Sequence, residues 1–105
     1  MMDFDGEGGT VHIISRKRLK EAARQHADLE SPLDTWFHIT RRAAWKNIAE
    51  VRQTYPAADP VGKHTVFNIK GNSYRLVTEI NYRTGRVFIR HVLTHQEYDE
   101  GRWKP

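Results

Sequence analysis

Close to the C-terminal end, the stretch THQEYDE places an imidazole and a phenol about one helical turn apart, at His95 and Tyr98. Thr94 and Glu97 stand at the spacing of a capping box, which predicts a helix with His95 at its first position and Tyr98 on nearly the same side. The positive end of the helix dipole disfavours imidazolium, so His95 is biased towards a neutral ring that acts as a base near neutral pH. Backbone N–H groups at the same terminus favour a nearby phosphate. Upstream, the segment from Lys63 to His95 carries Lys63, Lys70, Arg75, Arg83, Arg86 and Arg90, with His64, His91 and His95, against Glu79 as its single carboxylate. Such a segment attracts a polyanion. Two plainer readings stand beside this one: the basic groups form a solvated surface, and His95 with Tyr98 closes a sheet edge.

Composition narrows the function classes. The chain has 105 residues, a formal net charge of +4, 38% hydrophobic and 29% charged residues, the balance of a soluble globular protein with one compact core. Without cysteine there is no disulfide, thiolate metal site or cysteine nucleophile. Six histidines permit a metal site in principle, but no helix carries a His-x-x-x-His pair and no carboxylates cluster, so neither metal nor cofactor is expected. No apolar run is long enough to span a membrane and no secretory signal opens the chain, so a cytoplasmic location without a membrane partner is expected. Residues 1–10, MMDFDGEGGT, lack periodicity and any basic group. They are expected to be a disordered or non-native leader, with Val11 in the place of an initiator and residues 11–105 forming a single domain.

The elements that must position these groups follow from periodicity. Residues 11–14 predict a short strand, ended by Ser15 as the cap of a helix over about residues 16–28, with Leu19, Ala22, Ala23 and His26 on its buried stripe. His26 is expected as a packed or half-exposed ring, since no second ligand lies one turn on. Ser31 as cap, Pro32 at the first position and Asp34 three residues after the cap predict a second helix. Its stripe is Trp36, Phe37, Thr40, Ala44, Ile48 and Val51, ended by YPAADP. The rings of Trp36, Phe37 and Trp45 are expected in the core rather than as a base-stacking platform.

After Gly62 the period changes to two, predicting strands at HTVFNIK, SYRLVTEINY and RVFIRHVL, joined by turns at Gly71-Asn72 and Arg83-Thr84-Gly85. The fold class is therefore α+β: two N-terminal helices packed on one face of a small antiparallel sheet, followed by a short C-terminal helix. Turn lengths set Asn68 opposite Arg75, Phe67 opposite Leu76, Tyr82 opposite Arg86, Ile80 opposite Phe88 and Val77 opposite His91. Phe67, Ile69, Tyr74, Leu76, Ile80, Phe88 and Val92 then face the helices. His64, Asn68, Lys70, Arg75, Val77, Glu79, Asn81 and His91 share the open face, with His95 continuing its phase. Arg90 falls on the helix face in this register and is expected at its periphery.

The stretches KHTVFNIKGNSYRLVTEINY and VFIRHVLTHQEYDE resemble the HigB branch of the RelE-like toxins of type II toxin–antitoxin systems. The similarity runs from about Val11 to Glu100, and FNIKGN-YRL with TH-EYD carries it jointly. This resemblance implies a RelE-like fold and metal-independent cleavage of messenger RNA, in many members on translating ribosomes. It also implies neutralisation by a HigA-like antitoxin with a helix-turn-helix domain, so that operator DNA is reached only through the antitoxin. By position it implies Arg75 against the scissile phosphate, and His95 and Tyr98 as acid, base or ring-stacking groups. Lys70 takes the place where some relatives carry a catalytic lysine, although the loop between the strands is shorter here.

The chemistry so implied is attack of the RNA's own 2′-hydroxyl on the adjacent phosphorus. Arg75 suits the developing charge, because a guanidinium fork matches phosphate oxygens and stays protonated. His95 is the candidate base, Tyr98 orients the nucleotide or assists proton transfer, and Lys70 and His64 are electrostatic helpers or the acid. Lys63, Asn68, Asn72 and His91 are expected to bind RNA. Two readings of other classes remain: a catalytically inert RNA-binding module using the same basic face, and a structural subunit docking an acidic partner. Few exposed aromatics on that face weaken the first of these.

Overall fold

The computed structural model describes residues 11–104, so the expected leader at residues 1–10 lies outside the described residues. The first strand is β1 (His12–Ile14), after which Ser15 turns the chain with a φ of +68° into helix α1 (Lys17–Gln25). Ser15 is thus the turn and not the cap. Arg16 holds the capping position with no side-chain bond, while the Ser15 carbonyl accepts the Arg18 N–H at 3.0 Å.

The first helix is shorter than its pattern predicts, because His26 is extended and sets its ring edge-on to Tyr74 at 5.3 Å. A 3₁₀ turn, Ala27–Leu29, then runs straight into α2 (Glu30–Arg42). Ser31 and Pro32, expected as cap and first residue, both lie inside the first turn of α2. The reason is that the 3₁₀ turn supplies the missing acceptor: the Ala27 carbonyl takes the Glu30 N–H, and no side-chain oxygen is needed there.

The second expected helix is two helices. Beyond Arg42 the chain opens, and α3 (Ile48–Thr54) starts only after Asn47, whose Oδ1 accepts the Glu50 N–H at 3.0 Å while Glu50 Oε1 accepts the Lys46 N–H at 2.9 Å. This break sends Trp45 into the core and leaves Ala44, expected on the buried stripe, exposed. Trp45 stacks on Phe67 at 6.2 Å, and Trp36 and Tyr55 meet the same ring edge-on at 5.4 and 5.2 Å. Such ring pairs contribute about 0.5–1.5 kcal/mol each beyond area burial. Trp36, Phe37 and Trp45 therefore belong to the core, as expected, although Trp45 enters it from the break between helices rather than in helical register.

The remaining strands are β2 (Asp59–Val61), β3 (His64–Ile69), β4 (Tyr74–Asn81) and β5 (Arg86–Thr94), followed by helix α4 (His95–Glu100). They form one sheet in the order β1-β5-β4-β3-β2, antiparallel except for β1, which runs parallel to β5. The helices cover one face, over a core that includes Leu19, Leu33, Trp36, Phe67, Leu76 and Ile89. The meander of β3, β4 and β5 follows the sequence reading; the edge strand β2 and the parallel β1 pairing do not come from it.

Register agrees in the first hairpin, with Asn68 opposite Arg75 and Phe67 opposite Leu76. The second hairpin departs from it. Asn81 Oδ1 accepts the Arg83 and Thr84 N–H groups, both at 3.1 Å, so the strands pair last at Asn81 and Arg86, not at Tyr82 and Arg86. A bulge between Val77 and Thr78 then restores the expected pairing of Val77 with His91, and Leu76 pairs with Val92. Between these two registers Ile80 opposes Val87, not Phe88, and Arg90 is the extra residue. Two face assignments change in consequence. Val87 and Ile89 enter the core, while Phe88 is half-buried and Arg90 joins the opposite face beside His64 and His91.

Candidate active site

The site is built at the seam between β5 and α4. Thr94 and Glu97 close both halves of the capping box: Thr94 Oγ1 accepts the Glu97 N–H at 3.1 Å, and Glu97 Oε1 accepts the Thr94 N–H at 2.9 Å. The His95 N–H goes to the Ser73 carbonyl at 3.0 Å. Two of the first-turn donors expected to face an anion are therefore spent inside the protein. The His95 ring lies 2.9 Å through Nδ1 from Asp99 Oδ2, one turn on. In a neutral ring that contact places the proton on Nδ1 and the lone pair on Nε2.

Arg75 leaves β4 with its guanidinium already fixed. Its NH2 donates to Asn72 Oδ1 at 2.6 Å and its NH1 to the Asn72 and Tyr74 carbonyls at 3.2 Å each, while its plane lies 5.5 Å from the Tyr98 ring centre. Asn72, expected to bind RNA, thus turns its side-chain carbonyl to Arg75. Burial, reinforced by Asp59, keeps the Tyr98 phenol above the usual tyrosine range despite the opposing pull of Arg75. Tyr98 is therefore a protonated phenol at neutral pH.

Beneath Tyr98 stands a residue to which the sequence reading gave no role. Gly101 ends α4 at a φ of +74°, and the chain doubles back so that Trp103 stacks on Tyr98 at 5.0 Å, donates Nε1–H to the Tyr98 carbonyl at 3.0 Å and meets His64 edge-on at 5.6 Å. Trp103 sits on Val66 and Val77 as a second, small core, with Val61, Leu93 and Tyr98 around it. The face expected to be open is thus partly roofed. Its only forewarning in the sequence is a glycine at a helix end followed by a large apolar ring.

Trp103 also lines a hollow of about 230 Å³, together with Lys63, His64, Glu79, Arg90 and His91. His64 is buried and His91 half-buried. Burial, with Arg18, His64 and Arg90 adding to it, holds His91 below the usual histidine range. Asn68 is exposed on β3 opposite Arg75. Lys70 departs from the group: with a φ of +54° in the turn, its ammonium meets Asp28 at 2.7 Å, beside the Tyr74 hydroxyl that donates to the same carboxylate. The positive φ turns its stem towards the helix side, away from the face expected for it. Arg75 and Tyr98 are linked through Trp103 to His64, and Lys63 and His91 line the hollow with them, while the His95 ring, on α4, is held against Asp99. Asp99 was legible as a partner at i+4 from His95, whereas Arg90 and Trp103 were not.

Comparison with known proteins decides the family. The family model described as HigB toxin, the RelE-like toxic component of a toxin–antitoxin system, matches residues 29–101. The chain belongs to that family. Among its relatives, the mRNA interferase toxin HigB of Escherichia coli strain K12 is 30% identical over 92 residues, covering 85% of this chain and 88% of the relative. The mRNA interferase HigB of Shigella flexneri matches to the same extent, and that of Escherichia coli O6:H1 is 28% identical over 93 residues, covering 86% of this chain and 90% of the relative. The RelE-like toxin match contains every candidate residue from Lys63 to Tyr98, and ends before Trp103. Among the described residues of this RelE-like toxin no group of three or more His, Asp or Glu side chains is placed to hold a metal, and no helix is long and apolar enough to cross a membrane.

Proposed function

We propose that this protein is the toxin of a type II toxin–antitoxin pair and cuts messenger RNA on translating ribosomes without a metal. The observation that carries the reading is the pre-fixed Arg75 guanidinium laid against Tyr98 in a cationic sheet face, in a chain of the HigB toxin family. In the reaction the 2′-oxygen bonds to phosphorus and the bond to the 5′-oxygen breaks. The 2′-proton passes to His95 Nε2, which Asp99 orients through Nδ1. Arg75 takes the phosphorane charge, as positioned donors do in water-poor sites. The protonated Tyr98 stacks on a base or gives a proton to the 5′-oxygen, and His64 is the second candidate for that acid. Lys63, Asn68, Asn72 and His91 line the path of the strand. Lys70 acts outside the chemistry, since its ammonium is committed to Asp28. In the cytoplasm a HigA-like antitoxin with a helix-turn-helix domain silences the toxin, and operator DNA is met only through it.

The test is incubation of the purified protein with messenger RNA and translating ribosomes. Fragments ending in a 2′,3′-cyclic phosphate with 5′-hydroxyl partners are expected. Arg75→Ala and His95→Ala should each slow their formation by about 10² to 10³-fold. Intact RNA that still binds the protein would replace the reaction by an inert RNA-binding module, and absence of any RNA association would remove both.

A further inference from the structure

The bulge between Val77 and Thr78 gives the sheet face a second guanidinium. In an unbroken antiparallel ladder continuing the Leu76–Val92 and Val77–His91 pairing, Arg90 would alternate onto the helix side with Val92, where an unpaired charge is costly. Inserting one residue turns it to the other face beside His91, and bulges serve this purpose next to functional sites. There Arg90 lies 5.0 Å from the Phe88 ring centre and donates Nε–H to Glu79 Oε1 at 3.2 Å. Its own carbonyl accepts from Arg18 at 3.0 Å, pinning the bulge to α1. Lys63 Nζ stands 4.0 Å from the same Glu79 carboxylate. Lys63, His64, Arg90 and His91 line the hollow with Glu79 as its one acidic group.

We infer that Arg90, with Lys63 and His91, holds a second phosphate of the bound RNA, separate from the scissile phosphate assigned to Arg75. The inference rests on the RNA-cleaving reading above and extends it to the neighbouring stretch of the strand. The hollow shares Trp103 with Tyr98, and Tyr98 stacks against Arg75, so a strand gripped at Arg75 has a further phosphate to seat there. Glu79 acts as a place-holder. It keeps two cations together when no RNA is bound, and a phosphate replaces it as their partner. Arg suits this exchange because the guanidinium that Glu79 holds through Nε presents a planar fork of donors that matches phosphate oxygens and stays protonated when Glu79 lets go.

The probe is a fully 2′-O-methylated single-stranded RNA, which cannot react, titrated at several salt concentrations. Arg90→Gln is expected to weaken binding about tenfold and to lower the slope of log K against log salt by about 0.7, the signature of one lost phosphate contact on a single strand. Arg90→Lys should keep the slope. Glu79→Gln should bind several-fold tighter than the parent. Thermal melting of all three variants identifies any loss that comes from the fold. Equal affinity and slope in Arg90→Gln and parent would overturn the inference, as would a Glu79→Gln variant that binds no tighter or an Arg90→Lys variant that loses the slope. A parent protein that neither binds the probe nor cleaves messenger RNA would overturn the underlying reading instead.

Discussion

Replacing Trp103 with alanine is the sharpest test of how this sheet face is held. The side chain is 8% exposed and fills the space between Val66, Val77, Tyr98 and His64, so its removal leaves a cavity that the edge strand β2 and the short helix α4 cannot fully close. Large-to-small substitutions of buried aromatic residues cost about 3–5 kcal/mol. That is a large share of the roughly 5–15 kcal/mol by which domains are stable. In a chain of this size each kcal/mol moves the melting temperature by roughly 4–8 °C, so Trp103→Ala should melt at least about 12 °C below the parent. Trp103→Phe keeps the stacking on Tyr98 but loses the Nε1–H bond to its carbonyl, a loss of about 1 kcal/mol. Below its melting point Trp103→Ala should also cleave messenger RNA about tenfold more slowly, because the ring that seats Tyr98, and through it Arg75, is gone. Differential scanning calorimetry and the ribosome cleavage assay read both effects. A variant that melts with the parent and cuts at the parent's rate would refute the account of Trp103 as the roof of the site.

Other consequences are more local. Asp99→Asn should lower cleavage about tenfold in the ribosome assay, since the carboxylate that fixes the His95 tautomer is lost; an undiminished rate would remove Asp99 as the group that orients His95. Asn47→Ala should cost about 0.5–2 kcal/mol in urea denaturation through loss of the α3 cap, and the equivalent change at Ser31, which caps nothing, should cost less. Hydrogen bonding from Lys70 holds Asp28 below its ordinary value of 3.8, against the opposing effect of burial. Its contribution to stability is accordingly complete above that value and disappears as acid protonates the folded carboxylate below it. Thermal melts of Asp28→Asn should therefore show a shallower acid limb below about pH 4 than the parent, and identical limbs would show that the Lys70 pair does not persist in solution.

How far the sequence carries is visible at individual residues. Alternation through β3 and β4, with a short turn between them, was enough to set Asn68 against Arg75 and to send Phe67 and Leu76 into the core, because a slip of one residue would have buried polar groups. Thr94 and Glu97 announced the start of α4 for an equally local reason: both bonds of the capping box join residues three apart. The same kind of short-range signal failed at Ser31, where a competing acceptor came from the preceding 3₁₀ turn, and at residues 43–47, where the pull of Phe67 on Trp45 outweighed helix continuity.

Tertiary structure alone decided the rest. Near the second turn, both candidate registers of β5 alternate equally well, and the choice depended on the Asn81 side chain and on a bulge whose reward, Arg90 against Glu79 and Phe88, is collected across the sheet. The parallel pairing of β1 with β5 joins strands separated by most of the chain. Trp103 has no apolar partner in its own segment other than Tyr98, and only folding brings Val66 and Val77 beneath it. Local patterns record contacts between near neighbours in sequence, where the spacing itself fixes geometry. The groups that complete this site meet through contacts whose free energy exists only once the sheet has formed.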